Sequence, residues 1–433
     1  MDSLTYQVFL RLNPWVENPA LWPGCAQSRV PGNYIPRNTP LSFEKDRAVL
    51  VIGPRQAGKS TLIWHLLSRE LSPWVYLNCE EPSVQELCRS PSLFLDEMQQ
   101  VAPDAIGVFF DEIQHLEEAA LFLKGVVDQK SGWALVATGS SSFHLRSRTR
   151  ESLAGRARRC LLLPFSLAEV SSNLRAPTVA AMERRRMWDI LLVRGGYPEA
   201  FLSPEPREIL GPLVEAFVLR DASDLYHIRN PQAFRRLLAL VASQVGDLVN
   251  FSHWAEVLGI SVSTVGQYLA ILEESHVIRL LPPFVGGKRA ELTSRPKAYF
   301  LDNGLRNYLF GGLAPLEARQ DAGRVVENFV FTELSKQIDP FHDALYYWRS
   351  ASNAEVDFVL LREGRLTIFE VKAAALKRPK VPRALRSFIQ AYGPVAAFVV
   401  NTGLQDAVEV EGTPVRFVLG ADLPDLFGDA LNL

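Results

Sequence analysis

Cysteine is scarce in this chain, with four among 433 residues. Cys25, Cys79, Cys88 and Cys160 stand far apart and form no C-x-x-C pair. That excludes a disulfide framework and fits the reduced thiols of a cytoplasmic protein. Charge of one sign is also missing, because 46 Lys and Arg against 48 Asp and Glu leave a net charge of −2. Any nucleic-acid contact must therefore come from local basic patches. No apolar run approaches the roughly 18 residues that a membrane span needs, so no membrane partner is expected. Met1-Asp2-Ser3 lacks the basic-then-apolar layout of a secretion signal. There is no internal repeat and no low-complexity tract. What remains is a globular composition, 48% hydrophobic and 22% charged, long enough for about two to four domains.

The most informative stretch is Gly53-Pro54-Arg55-Gln56-Ala57-Gly58-Lys59-Ser60-Thr61. It fills the pattern G-x-x-x-x-G-K-[ST]. The apolar run Ala48-Val49-Leu50-Val51-Ile52 precedes it as a buried strand, and residues 61–67 follow with helical spacing. Strand, glycine-rich loop and helix form a phosphate cradle lined by backbone N–H groups. In such a cradle Lys59 pairs with the β- and γ-phosphates of ATP, and the Ser60 hydroxyl ligates Mg²⁺.

Further runs at 74–78, 106–110, 134–138 and 160–163 alternate with helical stretches, as in a parallel sheet covered by helices. The run at 106–110 ends in Asp111-Glu112. Asp111 is expected to join the Mg²⁺ shell, and Glu112 to polarise the attacking water. The run ending at Thr138-Gly139-Ser140-Ser141 offers a sensor of the γ-phosphate, with Thr138 the first choice. Arg146, Arg148, Arg150, Arg156, Arg158 and Arg159 follow. Arg156, just before the last strand, is either a finger for a neighbour's nucleotide or part of a solvated basic face. For Arg146, Arg148 and Arg150 the solvated face is favoured.

Residues 251–284 read as helix, glycine turn and helix. Val265, Tyr268, Leu269 and Leu272 mark the core face of the second helix. Ser261, Ser263, Thr264 and Gln267 mark its exposed face, which carries no Arg or Lys. Lys288, Arg289, Arg295 and Lys297 follow in a wing-like hairpin, where they can meet phosphates without reading sequence. Binding of protein rather than DNA remains the alternative for this module.

Near the C-terminus, a strand containing Asp357 is followed by a turn at 362–365 and a strand ending Glu370-Val371-Lys372. Residues i and i+2 share a strand face, so Glu370 and Lys372 point together and Asp357 can join them. Glu327, on an upstream helix, supplies a further acid. Glu327, Asp357 and Glu370 are candidate metal ligands, with Lys372 positioning a water. Lys377, Arg378, Lys380, Arg383 and Arg386 form an adjacent basic stretch.

Taken together, these features resemble the prokaryotic AAA+-type P-loop ATPases that carry a winged helix and a C-terminal PD-(D/E)xK nuclease-like domain. The match runs through Gly53 to Thr61, Asp111-Glu112, Thr138-Gly139-Ser140-Ser141, Leu153-Ala154-Gly155-Arg156, Gly195-Gly196-Tyr197-Pro198, Lys297-Ala298-Tyr299-Phe300-Leu301-Asp302, Glu327-Asn328, Trp348-Arg349, Glu355-Val356-Asp357 and Glu370-Val371-Lys372. Two departures stand out: a Pro-rich segment ahead of the phosphate loop, and Val356 where the nuclease motif has proline. The expected architecture is α/β and multidomain. It comprises an N-terminal extension (1–45), an AAA+-like core (46–165), a helical lid (166–248), a winged helix (249–300) and a restriction-endonuclease-like domain (301–433). The resemblance implies an ATP- and Mg²⁺-dependent homo-oligomer, a hexamer being one size it allows, acting on DNA as a motor or remodeller. A nucleotide-switched nuclease and an ATP-binding signalling switch are the competing expectations.

Overall fold

The computed structural model describes residues 3–139, 153, 155–172, 177–216, 228–286, 295–339 and 342–429. These divide into two compact units, 1–163 and 164–433.

The first unit is a five-stranded parallel sheet between helices. Its strands are β1 (Ala48–Ile52), β2 (Val75–Asn78), β3 (Gly107–Asp111), β4 (Ala134–Gly139) and β5 (Ala157–Leu161), ordered β2-β3-β4-β1-β5. Every residue of β1, β3 and β4 is buried, as a parallel sheet covered on both faces requires. Alternation sorts the strands into two cores. Leu50, Leu77, Phe110 and Leu135 face one side; Val49, Val51, Phe109 and Val136 face the other. The helices are α1 (Ser3–Leu12), α2 (Trp22–Ser28), α3 (Lys59–Leu67), α4 (Pro82–Leu87), α5 (Pro91–Val101) and α6 (Ala119–Asp128).

The Pro-rich N-terminal segment, expected to be irregular beyond its first helix, builds α2 and packs into this unit. Trp15 and Trp22 are fully buried against Trp64 and Trp74, and Trp15 Nε1 donates to the Trp74 carbonyl at 2.8 Å. Asn13 pairs with the backbone of Tyr76, donating to its carbonyl (2.9 Å) and accepting from its N–H (2.6 Å). Strand β2 lies at the sheet edge, so the Asn13 amide completes hydrogen bonds that an edge leaves open.

The second unit begins with helices α7 (Leu167–Ser171), α8 (Pro177–Arg194), α9 (Pro198–Leu202), α10 (Pro206–Glu215) and α11 (Pro231–Ser243). A helix–turn–helix follows, α12 (Phe251–Leu258) and α13 (Val262–Glu274), with the antiparallel pair β6 (Ile278–Leu281) and β7 (Lys297–Phe300). The turn falls at Gly259, and the Ser261 hydroxyl caps α13 by accepting from Thr264 N–H at 3.0 Å.

After α14 (Asn303–Leu309) and α15 (Ala322–Gln337) comes a six-stranded mixed sheet. Its strands are β8 (Asp343–Arg349), β9 (Glu355–Arg362), β10 (Arg365–Val371), β11 (Ala396–Asn401), β12 (Asp406–Val410) and β13 (Thr413–Leu419), ordered β12-β13-β11-β10-β9-β8. Helix α16 (Arg383–Tyr392) buries Leu385, Phe388 and Ile389 in the core formed with Val359, Ile368 and Val399. Phe331 of α15 stacks on Tyr299 of β7 at 4.5 Å and lies near Phe358 of β9. Helix α17 (Leu423–Asp429) ends the described chain. No single helix among the described residues is long and apolar enough to cross a membrane.

Candidate functional site

The phosphate loop hangs between the end of β1 and the start of α3. Gly53 opens it at φ 154°, where a Cβ would lie 2.1 Å from the Leu162 carbonyl oxygen. Only glycine lets the loop pass that backbone. Gln56 holds a left-handed φ of 56° within the loop. Lys59 is 4% exposed, and its ammonium donates to the carbonyls of Gly53 (3.2 Å) and Pro54 (2.9 Å). The ammonium thus bonds back to the loop that a triphosphate would fill.

Strand β4 separates β3 from β1 and carries Thr138 to their shared end. The buried Thr138 hydroxyl donates to Asp111 Oδ1 and accepts from Glu112 N–H at 3.1 Å. Ser60 Oγ donates to the same Asp111 oxygen at 2.7 Å, and Tyr76 Oη to the other at 3.3 Å. Burial raises the Asp111 carboxyl above its ordinary range, opposed by the hydrogen bonds from Thr138 and Ser60. Glu112, at φ 54°, is half-buried and accepts from the Gln114 side chain. Thr138, the residue expected as a sensor of the γ-phosphate, holds Asp111 and Glu112 because its strand lies directly beside theirs.

Sequence reasoning missed two arginines here. Arg37, from the segment before β1, donates to the Ala57 carbonyl at 2.9 Å and to the Leu163 carbonyl. Arg29 lies over the rings of Trp64 (4.2 Å), Tyr76 (4.6 Å) and Trp15 (5.2 Å). Both contacts join residues far apart in the chain, so no local pattern marks them.

Arg156 lies just before β5, beside the start of β1 and so at the end of the sheet away from the phosphate loop, and pairs with Asp128 at 2.5 Å. It cannot serve its own chain's nucleotide. Ser140, Ser141, Arg146, Arg148 and Arg150 lie outside the described residues, as do Ala154, Lys288 and Arg289.

In the second unit, Val371 N–H donates to Asp357 Oδ2 at 2.7 Å, and Lys372 Nζ donates to Glu370 Oε1 at 2.7 Å. Glu327 comes to the same cluster from α15, with Tyr299 Oη donating to its Oε1 at 2.6 Å. Lys297 corrects the sequence expectation. Its ammonium does not face phosphates from the hairpin but is 3% exposed, 2.5 Å from Glu355 Oε1 and 3.7 Å from Glu327 Oε1. Its place in β7, against α15 and β9, turns the side chain inward. Arg295, just before β7, is exposed.

Burial, then repulsion from Asp357, raises the Glu327 carboxyl to about 7. Burial, then repulsion from Glu370, raises Asp357 to about 7. Glu370 Oε2 is buried with no hydrogen-bond partner among the described residues. Among those residues, no three His, Cys, Asp or Glu stand together in an arrangement that could hold a metal ion. Glu327, Asp357 and Glu370 therefore share a neighbourhood without forming the expected ligand set.

Residues 45–171 match the sequence model of an AAA domain. Residues 185–316 and 322–417 match two domains of unknown function, DUF8612 and DUF4143. The first unit is thus a P-loop ATPase core of the ATP-binding AAA class. The uncharacterized proteins Rv2008c of Mycobacterium tuberculosis and Mb2031c of Mycobacterium bovis are each 30% identical to the chain over 346 residues, covering 78% of it and 73% of the relative. The chain belongs to the family of these mycobacterial proteins. MJ1544 of Methanocaldococcus jannaschii, also uncharacterized, is 25% identical over 352 residues, covering 76% of each. Among solved structures, Cdc6p from Pyrobaculum aerophilum aligns with 14% identity over 64% of this chain and 86% of that one, at a TM-score of 0.23. AMPPCP-bound DnaA from Aquifex aeolicus aligns with 10% identity over 55% and 84%, at 0.24. At those TM-scores neither alignment supports an inference about this chain.

Proposed function

We propose that the chain is a Mg²⁺-dependent ATP hydrolase that works as a homo-oligomer and couples turnover to DNA held by its second unit. The observation that carries the reading is the convergence of Ser60, Thr138 and Tyr76 on the buried Asp111, with Glu112 on the next residue. A hydroxyl and a carboxylate 2.7 Å apart beside a phosphate loop suit a Mg²⁺ ligand pair. The ion, when bound, neutralises charge on the β- and γ-phosphate oxygens. Lys59 exchanges its two carbonyl contacts for phosphate oxygens. Glu112 orients a water toward the γ-phosphorus, while Gln114 and Thr138 hold that carboxylate and its backbone in place. Arg156 gives up Asp128 to reach the neighbouring subunit's nucleotide.

The DNA assignment draws on the helix–turn–helix with its hairpin, read as a winged helix, and on exposed Lys377, Arg378, Lys380, Arg383 and Arg386. Cations so placed contact phosphates irrespective of sequence. ATP turnover measured with and without single-stranded, duplex and junction DNA tests the reading. Stimulation that is lost when these five residues are changed to Ala supports it. Turnover indifferent to every DNA favours the signalling switch.

One observation favours the nuclease alternative: the unpartnered, buried Glu370 Oε2 beside Asp357 and Lys372. In that reading residues 301–433 form a restriction-endonuclease-like domain, and metal-dependent cleavage is lost in Asp357→Ala and Lys372→Ala with ATP turnover retained. Absence of cleavage with either Mg²⁺ or Mn²⁺ leaves a nuclease-like fold that only holds DNA.

A further inference from the structure

Four carboxylates meet in the second unit, and each has an oxygen taken by a donor of the protein itself. Val371 N–H takes Asp357 and Lys372 takes Glu370. The other two acids are engaged from one strand, β7. Its Lys297 ammonium holds Glu355 at 2.5 Å and lies 3.7 Å from Glu327, while its Tyr299 hydroxyl holds Glu327 at 2.6 Å. Arg349 adds an outer contact to Glu355 at 3.7 Å. The lysine is sealed in, with the Tyr347 ring 5.5 Å away. Gly246 packs close to Glu327, so that a Cβ there would lie 2.9 Å from Oε1.

An ammonium that served only to fasten β7 would need one acid. This one stands among several, yet Glu370 Oε2 has no partner among the described residues. The cluster also lacks, among those residues, any three ligands arranged for a metal. The second fact follows if the donors on β7 hold Glu327 and Glu355 in the positions that suit a lysine. A divalent cation needs several oxygens at about 2–2.6 Å, a geometry that a monovalent point charge with directional N–H donors does not impose.

We propose that Lys297 is a built-in competitor for the cation of this site, so that β7 keeps the acid cluster closed to divalent metal until the hairpin strand gives way. Because β7 belongs to the hairpin that follows the helix–turn–helix, whatever loads that hairpin sets the cation affinity of the cluster. The proposal rests on the reading of the cluster as a cation site, and its test separates the two.

The probe is Mn²⁺, titrated into the full-length chain without nucleotide and followed by loss of the free-ion electron paramagnetic resonance signal. Wild type, Lys297→Met and Lys297→Met combined with Asp357→Asn are compared. The expected result is a site in Lys297→Met at least tenfold tighter than in wild type and absent from the double variant. Lys297→Arg, which keeps the charge, should behave as wild type. Lys297→Gln, which keeps a donor for Glu355 without the charge, carries the same expectation as Lys297→Met should the latter fail to fold. A site sensitive to Asp357→Asn that is equally tight in wild type and Lys297→Met overturns the competitor role and leaves the cation site standing. No such site in any variant overturns both.

Discussion

The two units each bury a carboxylate centre, and they stabilise it in opposite ways. Around Asp111 the donors are neutral hydroxyls, those of Ser60, Thr138 and Tyr76. Around Glu327, Glu355, Asp357 and Glu370 the principal donors are the ammonium groups of Lys297 and Lys372, with one tyrosine hydroxyl. Hydroxyls satisfy lone pairs without neutralising the charge, so the first centre stays short of a cation and suits one that arrives with ATP. The second centre brings its own cations on the strand and hairpin that frame it. An unpaired buried charge costs far more than a paired one. The contrast therefore separates a site built to be completed by a ligand from a site that the chain completes itself.

The largest effect that would break this contrast is at Lys59. Lys59→Ala should abolish ATP hydrolysis, a loss of about a thousandfold or more, and weaken ATP binding, because the loop loses the ammonium expected to meet the β- and γ-phosphates. Wild-type turnover in this variant would remove the first centre from consideration as a nucleotide site. Next, Glu112→Gln should cut hydrolysis by about 10²–10⁴-fold while ATP binding persists, since water activation is lost and the hydroxyl-ringed Asp111 remains. Equal losses of binding and turnover would show that Glu112 holds the nucleotide instead.

The second centre is sharpened by pH. Glu327 stands at about 7 in the folded chain against an ordinary 4.5. Between those values the folded chain retains a proton that the unfolded chain has released. The stability linked to it is full below about pH 4.5 and is lost as pH rises through 7. With 22% of the side chain exposed, the loss is at most about 3 kcal/mol. Glu327→Gln should flatten the fall in denaturant midpoint over that interval. A slope identical to wild type would mean that Lys297 and Tyr299 already neutralise this acid.

The smallest effect is expected at Tyr76. Tyr76→Phe removes the longest of the three hydroxyl contacts to Asp111, at 3.3 Å, and should lower turnover by only a few-fold with little change in ATP binding. A loss as large as that of Glu112→Gln would make the hydroxyl ring a catalytic requirement.

Much of the first unit was legible because its signals are local. The apolar run at 48–52 is β1, and the runs at 74–78, 106–110 and 134–138 differ from β2, β3 and β4 by single residues. The run at 160–163 was displaced. Strand β5 covers Ala157–Leu161, since pairing with β1 recruits Arg158 and Arg159 to an exposed edge that hydrophobicity does not mark. The helix, glycine turn and helix expected within 251–284 are α12 and α13, which Gly259 and the Ser261 cap punctuate. Lys297 was misassigned for a definite reason. Beside Arg295 it looks like part of a basic hairpin face, but Arg295 precedes the strand while Lys297 opens β7 on the side covered by α15 and β9.

By itself, the sequence determined the phosphate loop, the acids at the tip of β3, the helix–turn–helix and the shared strand face of Glu370 and Lys372. Each depends on spacing within one element or between adjacent ones. Only the tertiary structure decided that Thr138 would hold Asp111, that Arg29 and Arg37 would come to the nucleotide unit's core and loop, and that Lys297 would close the acid cluster. Those contacts join residues 20 or more positions apart, and they exist because sheet order and helix packing carry the side chains together after the local elements have formed.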